Sequence, residues 1–333
     1  MALLLLFLLA ASPTFEESFR AGLLALQRND LPAAVTNLEA AAKLAPNNGR
    51  VWVALAQTYR KRNEPPKAEA AATKAGSVGA ADPLVWSTLS IFYTESGLPV
   101  KAADAQARFS LLVPNDAPAR EKAESMYFEA VQPLLKQQKF ADAIAILNSA
   151  RGQLKSSAQL ELALGVAQYG LRRFDDAAEA FLRTIAIAPD VDQPFTFLGK
   201  FLGQIPGRLP EITARFVAYE KAHPESAMGY ALHAKALNAQ SIEPETARAL
   251  LEKAISIDDR DATSHFELAS LHDRGQRYAD AAREFERAAQ LDPTDPAAQY
   301  RLARVYDRVG NPEAARQARE RHAKLVEAQQ AAK

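Results

Sequence analysis

FDDAAEAFLRTIAIAP occupies Phe174 to Pro189, and YADAAREFERAAQLDP occupies Tyr278 to Pro293. Both run aromatic, acid, Ala-Ala, acid, Phe, Arg and a closing Pro in one order, so the chain writes the same helix twice. The closing positions set a period. Pro189 to Pro224 is 35 residues, Pro224 to Asp259 is 35, and Asp259 to Pro293 is 34; upstream, Pro46 to Pro114 is 68, or two periods of 34. A fixed period of this length marks an array of supersecondary units, each copy being the second helix of one unit.

The other half of the unit reads best near the start. Trp52, Leu55, Ala56 and Tyr59 recur 34 residues later as Trp86, Leu89, Ser90 and Tyr93. Their spacing of i, i+3, i+4 and i+7 puts each set on one helix face. Glycine stands near the predicted end of this first helix at Gly97, Gly170, Gly275 and Gly310, as a turn requires. The second helices pair a small residue with a larger one four places on: Ala34 and Leu38, Ala102 and Gln106, Ala143 and Leu147, Ala177 and Phe181, Ala247 and Leu251, Ala281 and Phe285. The alanine admits a neighbouring helix and the larger side chain fills the space beside it. Asp82-Pro83 and Asp295-Pro296 supply an N-cap followed by Pro at the first helical position.

The pattern W-x2-L-G-x2-Y, then A-x3-F, then P on a period of 34 residues resembles the tetratricopeptide repeat family. Nine units fall at about 15–48, 49–82, 83–116, 124–157, 158–191, 192–226, 227–261, 262–295 and 296–329. The resemblance implies an all-α fold, a right-handed α-solenoid superhelix of about nine helix-turn-helix repeats. First helices would line its concave wall and second helices its convex one, with partner peptides or helices held in the concavity. Repeats 1–3 are expected over 15–116, and repeats 4–9 over 124–329 with a polar C-terminal capping helix. Three departures stand out. About seven extra residues around Pro114–Pro118 separate the third unit from the fourth, a place for a bend; Gly203 to Pro210 replaces a compact turn with breakers, a soft joint; and Arg319 stands where Phe would follow Ala315, as suits a water-facing terminal unit.

Composition narrows the function. Of 333 residues, 48% are hydrophobic and 24% charged, the balance of a folded protein rather than a disordered one. Lys plus Arg equals Asp plus Glu at 40 each, so there is no bulk field to draw nucleic acid or an acidic membrane face. Outer helices interleave the signs, as in Arg283-Glu284-Phe285-Glu286-Arg287, which is solvated helix-surface pairing. Cysteine is absent, which removes disulfides, thiolate metal sites and cysteine nucleophiles. Met1-Ala2, the apolar run Leu3 to Leu9, and Ala10-Ala11-Ser12-Pro13 have the length and small-residue exit of a secretory signal peptide and fall short of the roughly 20 residues of a bilayer span. The leader is accordingly placed at 1–12 and the chain in a periplasmic or secreted location, with membrane association only if the leader is retained. The alternative is a cytoplasmic chain whose first helix carries an apolar N-cap.

Catalytic, cofactor and metal sites are not expected. His223, His233, His265, His272 and His322 fall in no ligand spacing, although His265 and His272 lie two helical turns apart on one face and could form a weak surface metal site. Asp175-Asp176 and Asp258-Asp259 stand at helix ends, where capping and the helix dipole account for them. Phosphate-binding and nucleophile-elbow motifs are missing. The expected activity is non-catalytic binding of other proteins, with no nucleic acid and no small-molecule substrate. Chaperone-docking members of the family hold a terminal carboxylate with a Lys, Asn, Asn, Lys, Arg set on first helices. Val53, Ala54, Gln57, Leu84 and Thr88 do not reconstruct it, so that function is rejected.

On the first helices a second apolar stripe comprises Leu162, Val166 and Tyr169, with Phe128, Phe197, Met228 and Leu232 at corresponding places in neighbouring units; further on the stripe turns basic at Lys235, Arg274, Arg301, Arg304 and Arg308. The expectation is a groove apolar in its middle and cationic toward the C-terminus, fitted to a peptide with hydrophobic anchors and an acidic end. The competing readings are that these side chains only pack adjacent helices, and that the chain is a structural or regulatory subunit of an envelope complex assembling through its convex face or ends.

Overall fold

The computed structural model describes residues 13–331; the expected leader at 1–12 lies outside them. Eighteen α-helices and no strand occur among the described residues. They fall into two compact units that divide between Leu171 and Arg172. The first contains α1 (Phe15–Gln27), α2 (Leu31–Leu44), α3 (Gly49–Lys61), α4 (Pro65–Val78), α5 (Pro83–Glu95), α6 (Pro99–Leu112), α7 (Ala117–Lys136), α8 (Phe140–Gln153) and α9 (Ala158–Gly170). The second contains α10 (Phe174–Ile187), α11 (Asp192–Lys200), α12 (Leu209–Ala222), α13 (Ala227–Gln240), α14 (Pro244–Ile257), α15 (Ala262–Arg274), α16 (Tyr278–Leu291), α17 (Pro296–Arg308) and α18 (Pro312–Ala331).

Within each unit a helix packs on its successor, and the odd-numbered helices also touch one another: α1 on α3, α3 on α5 and α7 on α9 in the first unit, α11 on α13 and α13 on α15 in the second. This is the all-α solenoid arrangement, in which a hairpin cannot bury its apolar stripes alone and folds by stacking. The small-and-large pairs are the joints of the stack. Ala34, Leu38, Ala143, Leu147, Ala177, Phe181, Ala247, Leu251, Ala281 and Phe285 are all buried. So is Gln106, whose Nε2 donates to the carbonyl of Ala119 at 3.1 Å. Helix starts follow the expected caps: Asp82 accepts from the Leu84 N–H at 3.0 Å and Asp295 from that of Ala297 at 2.9 Å, satisfying donors that have no partner in the helix.

Three expectations are corrected. The extra residues before the fourth unit make no separate linker; Asp116 caps the chain at Ala119 N–H (3.1 Å), Pro118 sits in the first turn, and α7 gains length to reach 20 residues. The breaker-rich stretch after α11 is not an open loop: it forms two 3₁₀ turns, Leu202–Gln204 and Pro206–Arg208, with Phe201, Leu202, Ile205 and Leu209 buried. In the turns, only Gly97 and Gly310 of the four glycines adopt positive φ. Gly275 has φ −78° and the left-handed residue is its neighbour Gln276, while Gly170 ends α9 with no room for a Cβ, which would meet the Phe140 ring at 2.5 Å.

Tyrosines tie hairpins together. Tyr59 donates to Glu39 at 2.6 Å, Tyr219 to Asp192 at 2.5 Å, Tyr127 to Asp104 and Tyr306 to Glu286. Burial, and next the adjacent carboxylate, push all four phenols up, Tyr219 and Tyr306 to about 12. The fold therefore favours the protonated phenol, so this stabilisation is complete below the unfolded value near 10 and disappears as pH rises through about 12. Thermal midpoints are expected to hold up to about pH 10 and then fall, with phenolate absorbance lagging that of free tyrosine. A phenolate titration centred near 10 for all tyrosines in the folded chain would contradict the assignment.

Candidate groove on the first helices

In the first unit, Phe128 lies half-buried on α7, and Leu162, Val166 and Tyr169 lie half-buried along α9. The second unit places more of the expected residues together. Met228, Leu232 and Lys235 of α13 line a cleft of about 430 Å³ with Thr196, Gly199 and Lys200 of α11 and the turn from Asp258 to Thr263. Gly199 sets its depth, because a Cβ there would come within 2.5 Å of the Leu232 side chain. The Thr196 hydroxyl meets the Met228 sulfur at 3.3 Å across the same helix pair. Phe197 turns away from the cleft's lining and stacks on Phe181 of α10, with centroids 5.1 Å apart and planes at 11°.

The basic stretch is divided by its partners. Lys235 lies 3.6 Å from Glu267, a buried carboxylate that also accepts from Asn238 Nδ2 at 3.0 Å. Arg274 donates to the Asn238 side-chain oxygen at 2.7 Å and to its carbonyl at 3.3 Å. Arg308 pairs with Asp273 and stands 5.2 Å over the Tyr278 ring. These three bases serve the joints between α13, α15 and α17. Arg304 has only the Tyr300 ring, 5.9 Å away, and Arg301 has no ion pair or hydrogen bond among the described residues. Helix geometry at 100° per residue puts Arg304 on the side of α17 opposite buried Leu302, with Arg301 and Arg308 flanking it.

Sequence reasoning missed two cations at the cleft. Lys200 stands 5.0 Å over the Phe197 ring, and Arg260 projects from the α14–α15 turn; neither has an ion pair among the described residues. Lys200 lies one 35-residue period before Lys235, a signal the repeat phase carried. Asp258 and Asp261 at the same mouth are engaged by backbone N–H groups of Arg260 (2.9 Å), Thr263 (3.2 Å) and Ser264 (2.9 Å). His265, half of the conceivable surface metal pair, turns inward instead: its Nδ1 lies 2.7 Å from Glu284 and its Nε2 3.2 Å from the Asp259 carbonyl. His233 likewise meets Glu220 at 2.6 Å. No group of three or more metal-ligating side chains occurs among the described residues, and no helix there is long and apolar enough to cross a membrane.

Stacked helical hairpins with an open, mixed apolar and cationic groove define a helical-repeat scaffold. Two sequence profiles described as tetratricopeptide repeat match the chain, one over residues 25–91 and 274–324, the other over 128–192 and 240–296. Together they cover most of it, and the chain belongs to the tetratricopeptide repeat family, whose general role is to hold other proteins. A comparison with curated proteins gives no match. Among solved structures, MamA (41-end) from Desulfovibrio magneticus RS-1 is similar at 19% identity, covering 51% of this chain and 96% of that one with a TM-score of 0.43. Pseudomonas aeruginosa pilF is similar at 19% identity over 60% of this chain and 90% of its own, TM-score 0.46. Yeast Tom70 is similar at 13% identity over 94% and 85%, TM-score 0.47.

Proposed function

We propose that the chain is a non-catalytic scaffold that holds a segment of a partner protein along the first helices of its second unit. The ligand has hydrophobic anchors for the Met228–Leu232 cleft and an acidic end for Arg301 and Arg304. The observation that carries this reading is the division among the basic residues. Lys235, Arg274 and Arg308 are used by neighbouring helices, whereas Arg301 and Arg304 make no ion pair among the described residues. Cations free of ion pairs and held on a helix suit recognition of a carboxylate. Export through the apolar leader at 1–12 is part of the proposal, and sequencing the mature N-terminus tests it.

Reversing both charges, Arg301→Glu with Arg304→Glu, is expected to weaken a partner recovered by crosslinking in the native compartment by at least about 10-fold, about 1.4 kcal/mol. The thermal midpoint should shift little, since neither side chain is fully buried or ion-paired and the one ring contact, Arg304 on Tyr300, is exposed and worth about 0.5–1 kcal/mol. Retained binding would move the interface to the second helices or the ends, which is the alternative of a structural subunit.

A further inference from the structure

In several first helices the fourth residue packs against neighbouring second helices, as Trp86 does between Gly76 of α4 and Arg108 of α6 and as His265 does against Glu284 of α16. Four of these side chains reach the carbonyl six residues upstream: Trp52 to Pro46 at 2.8 Å, Trp86 to Ala80 at 2.9 Å, Tyr230 to Pro224 at 3.1 Å and His265 to Asp259 at 3.2 Å. In α17 the place belongs to Gln299, 34 residues after His265. It is only 8% exposed, and its Oε1 is shut off from solvent without a hydrogen-bond partner. A buried amide oxygen in that condition is costly.

The surroundings match those of an indole. Around Trp86 stand Gly76 of α4, ten residues earlier, where a Cβ would lie 3.1 Å from the ring, and Arg108 of α6, 22 residues later, with its guanidinium 5.2 Å from the ring centroid. Around Gln299 the residues at the same offsets are Ala289 of α16 and Arg321 of α18. Both line a cavity of about 260 Å³, with Glu286, Leu302, Tyr306 and Ala318. The pocket thus keeps the small wall and the cationic lid of the Trp86 site and has lost the ring itself. Arg321 has no ion pair among the described residues. At this size the cavity is below the roughly 300–1,000 Å³ of sites for drug-sized ligands, which leaves room for one flat ring.

We propose that this cavity receives a tryptophan side chain of a partner polypeptide. The indole lies under the Arg321 guanidinium, which favours a π face. Once the Gln299 side chain turns toward the cavity, the indole N–H supplies the donor that its oxygen lacks. The site is separate from the groove, because Gln299, Leu302 and Tyr306 lie on the face of α17 opposite Arg301 and Arg304.

The probe is N-acetyl-tryptophanamide, titrated against the full chain by calorimetry and ligand-observed NMR, with N-acetyl-leucinamide as comparator. Saturable one-to-one binding of the aromatic probe alone is expected. Gln299→Trp should abolish it and raise the thermal midpoint, by supplying from within the ring found at Trp52 and Trp86. Arg321→Ala, at an exposed position, should weaken binding about 2- to 5-fold and keeps the test intact if Gln299→Trp fails to fold. The Arg301→Glu, Arg304→Glu chain should bind the probe unchanged, so failure of the groove reading and failure of this one are told apart. No saturable binding, equal binding of both probes, binding that survives in folded Gln299→Trp, or a high-resolution structure with only ordered water at Gln299 in the presence of the probe would each overturn the proposal.

Discussion

Replacing Phe285 by alanine is expected to cost about 3–5 kcal/mol and to release the hairpins around it. Phe285 has no exposed surface and meets Phe266 edge-on, with centroids 5.3 Å apart. It sits in a cluster with Ala269, Leu302, Val305 and Ala318, so truncation strips contacts from α15, α17 and α18 at once. Since the whole stability of a domain is roughly 5–15 kcal/mol, and an array is held by nearest-neighbour interfaces, the loss should appear locally. Amide exchange protection should collapse across α15 to α18 before it does in α12. Arg283→Ala, on the solvated side of the same helix with only an exposed ion pair to Asp280, serves as the control within about 0.5 kcal/mol. A Phe285→Ala loss no larger than that control would mean that the cluster does not hold these hairpins.

Two glycines should answer the same substitution with opposite signs. Gly49 opens α3 where α4 ends and α5 begins; a Cβ there would lie 2.7 Å from the Gly79 Cα, 3.0 Å from a Val85 methyl and 3.1 Å from the Ala75 carbonyl oxygen. Two of these obstacles are backbone, which cannot rotate aside, so Gly49→Ala is expected to destabilise by about 2–3 kcal/mol, the upper part of the overpacking range. Gly152, inside α8, has no atom within 4 Å of the corresponding Cβ position. Gly152→Ala should stabilise by about 0.5–1 kcal/mol, because it removes freedom from the unfolded chain and nothing in the folded one resists it. Denaturant midpoints measured side by side decide both, and equal signs would contradict the helix approach at Gly49.

The repeat was legible because its carriers are rare residues in fixed phase: Trp52 and Trp86, Tyr59 and Tyr93, the closing prolines. Boundaries were harder where two local signals competed. At Pro114–Pro118 the period placed the next helix at 124, but Asp116 and Pro118 form a helix start of their own, and seven residues joined α7. The candidate groove was legible as positions, not as charges. That Lys235 answers to Glu267, Arg274 to Asn238 and Arg308 to Asp273 depends on side chains 32, 36 and 35 residues apart, contacts that arise only once helices one period distant are laid together. Gln299 was legible only by comparison with Trp52 and Trp86, and was passed over because a glutamine on a helix is ordinarily a surface residue.

The hairpin turns carry one more consequence. Asn29, Asn63 and Gln138 in the first unit and Gln276 in the second hold left-handed backbone, a conformation that glycine supplies at Gly97 and Gly310 and that other side chains adopt at some cost. Each such position lies in a separate hairpin and shares no partner with the others, so its relaxation would add to the total. Thermal adaptation therefore has a graded route through this chain, one turn at a time, that leaves every residue of both proposed binding faces as it is.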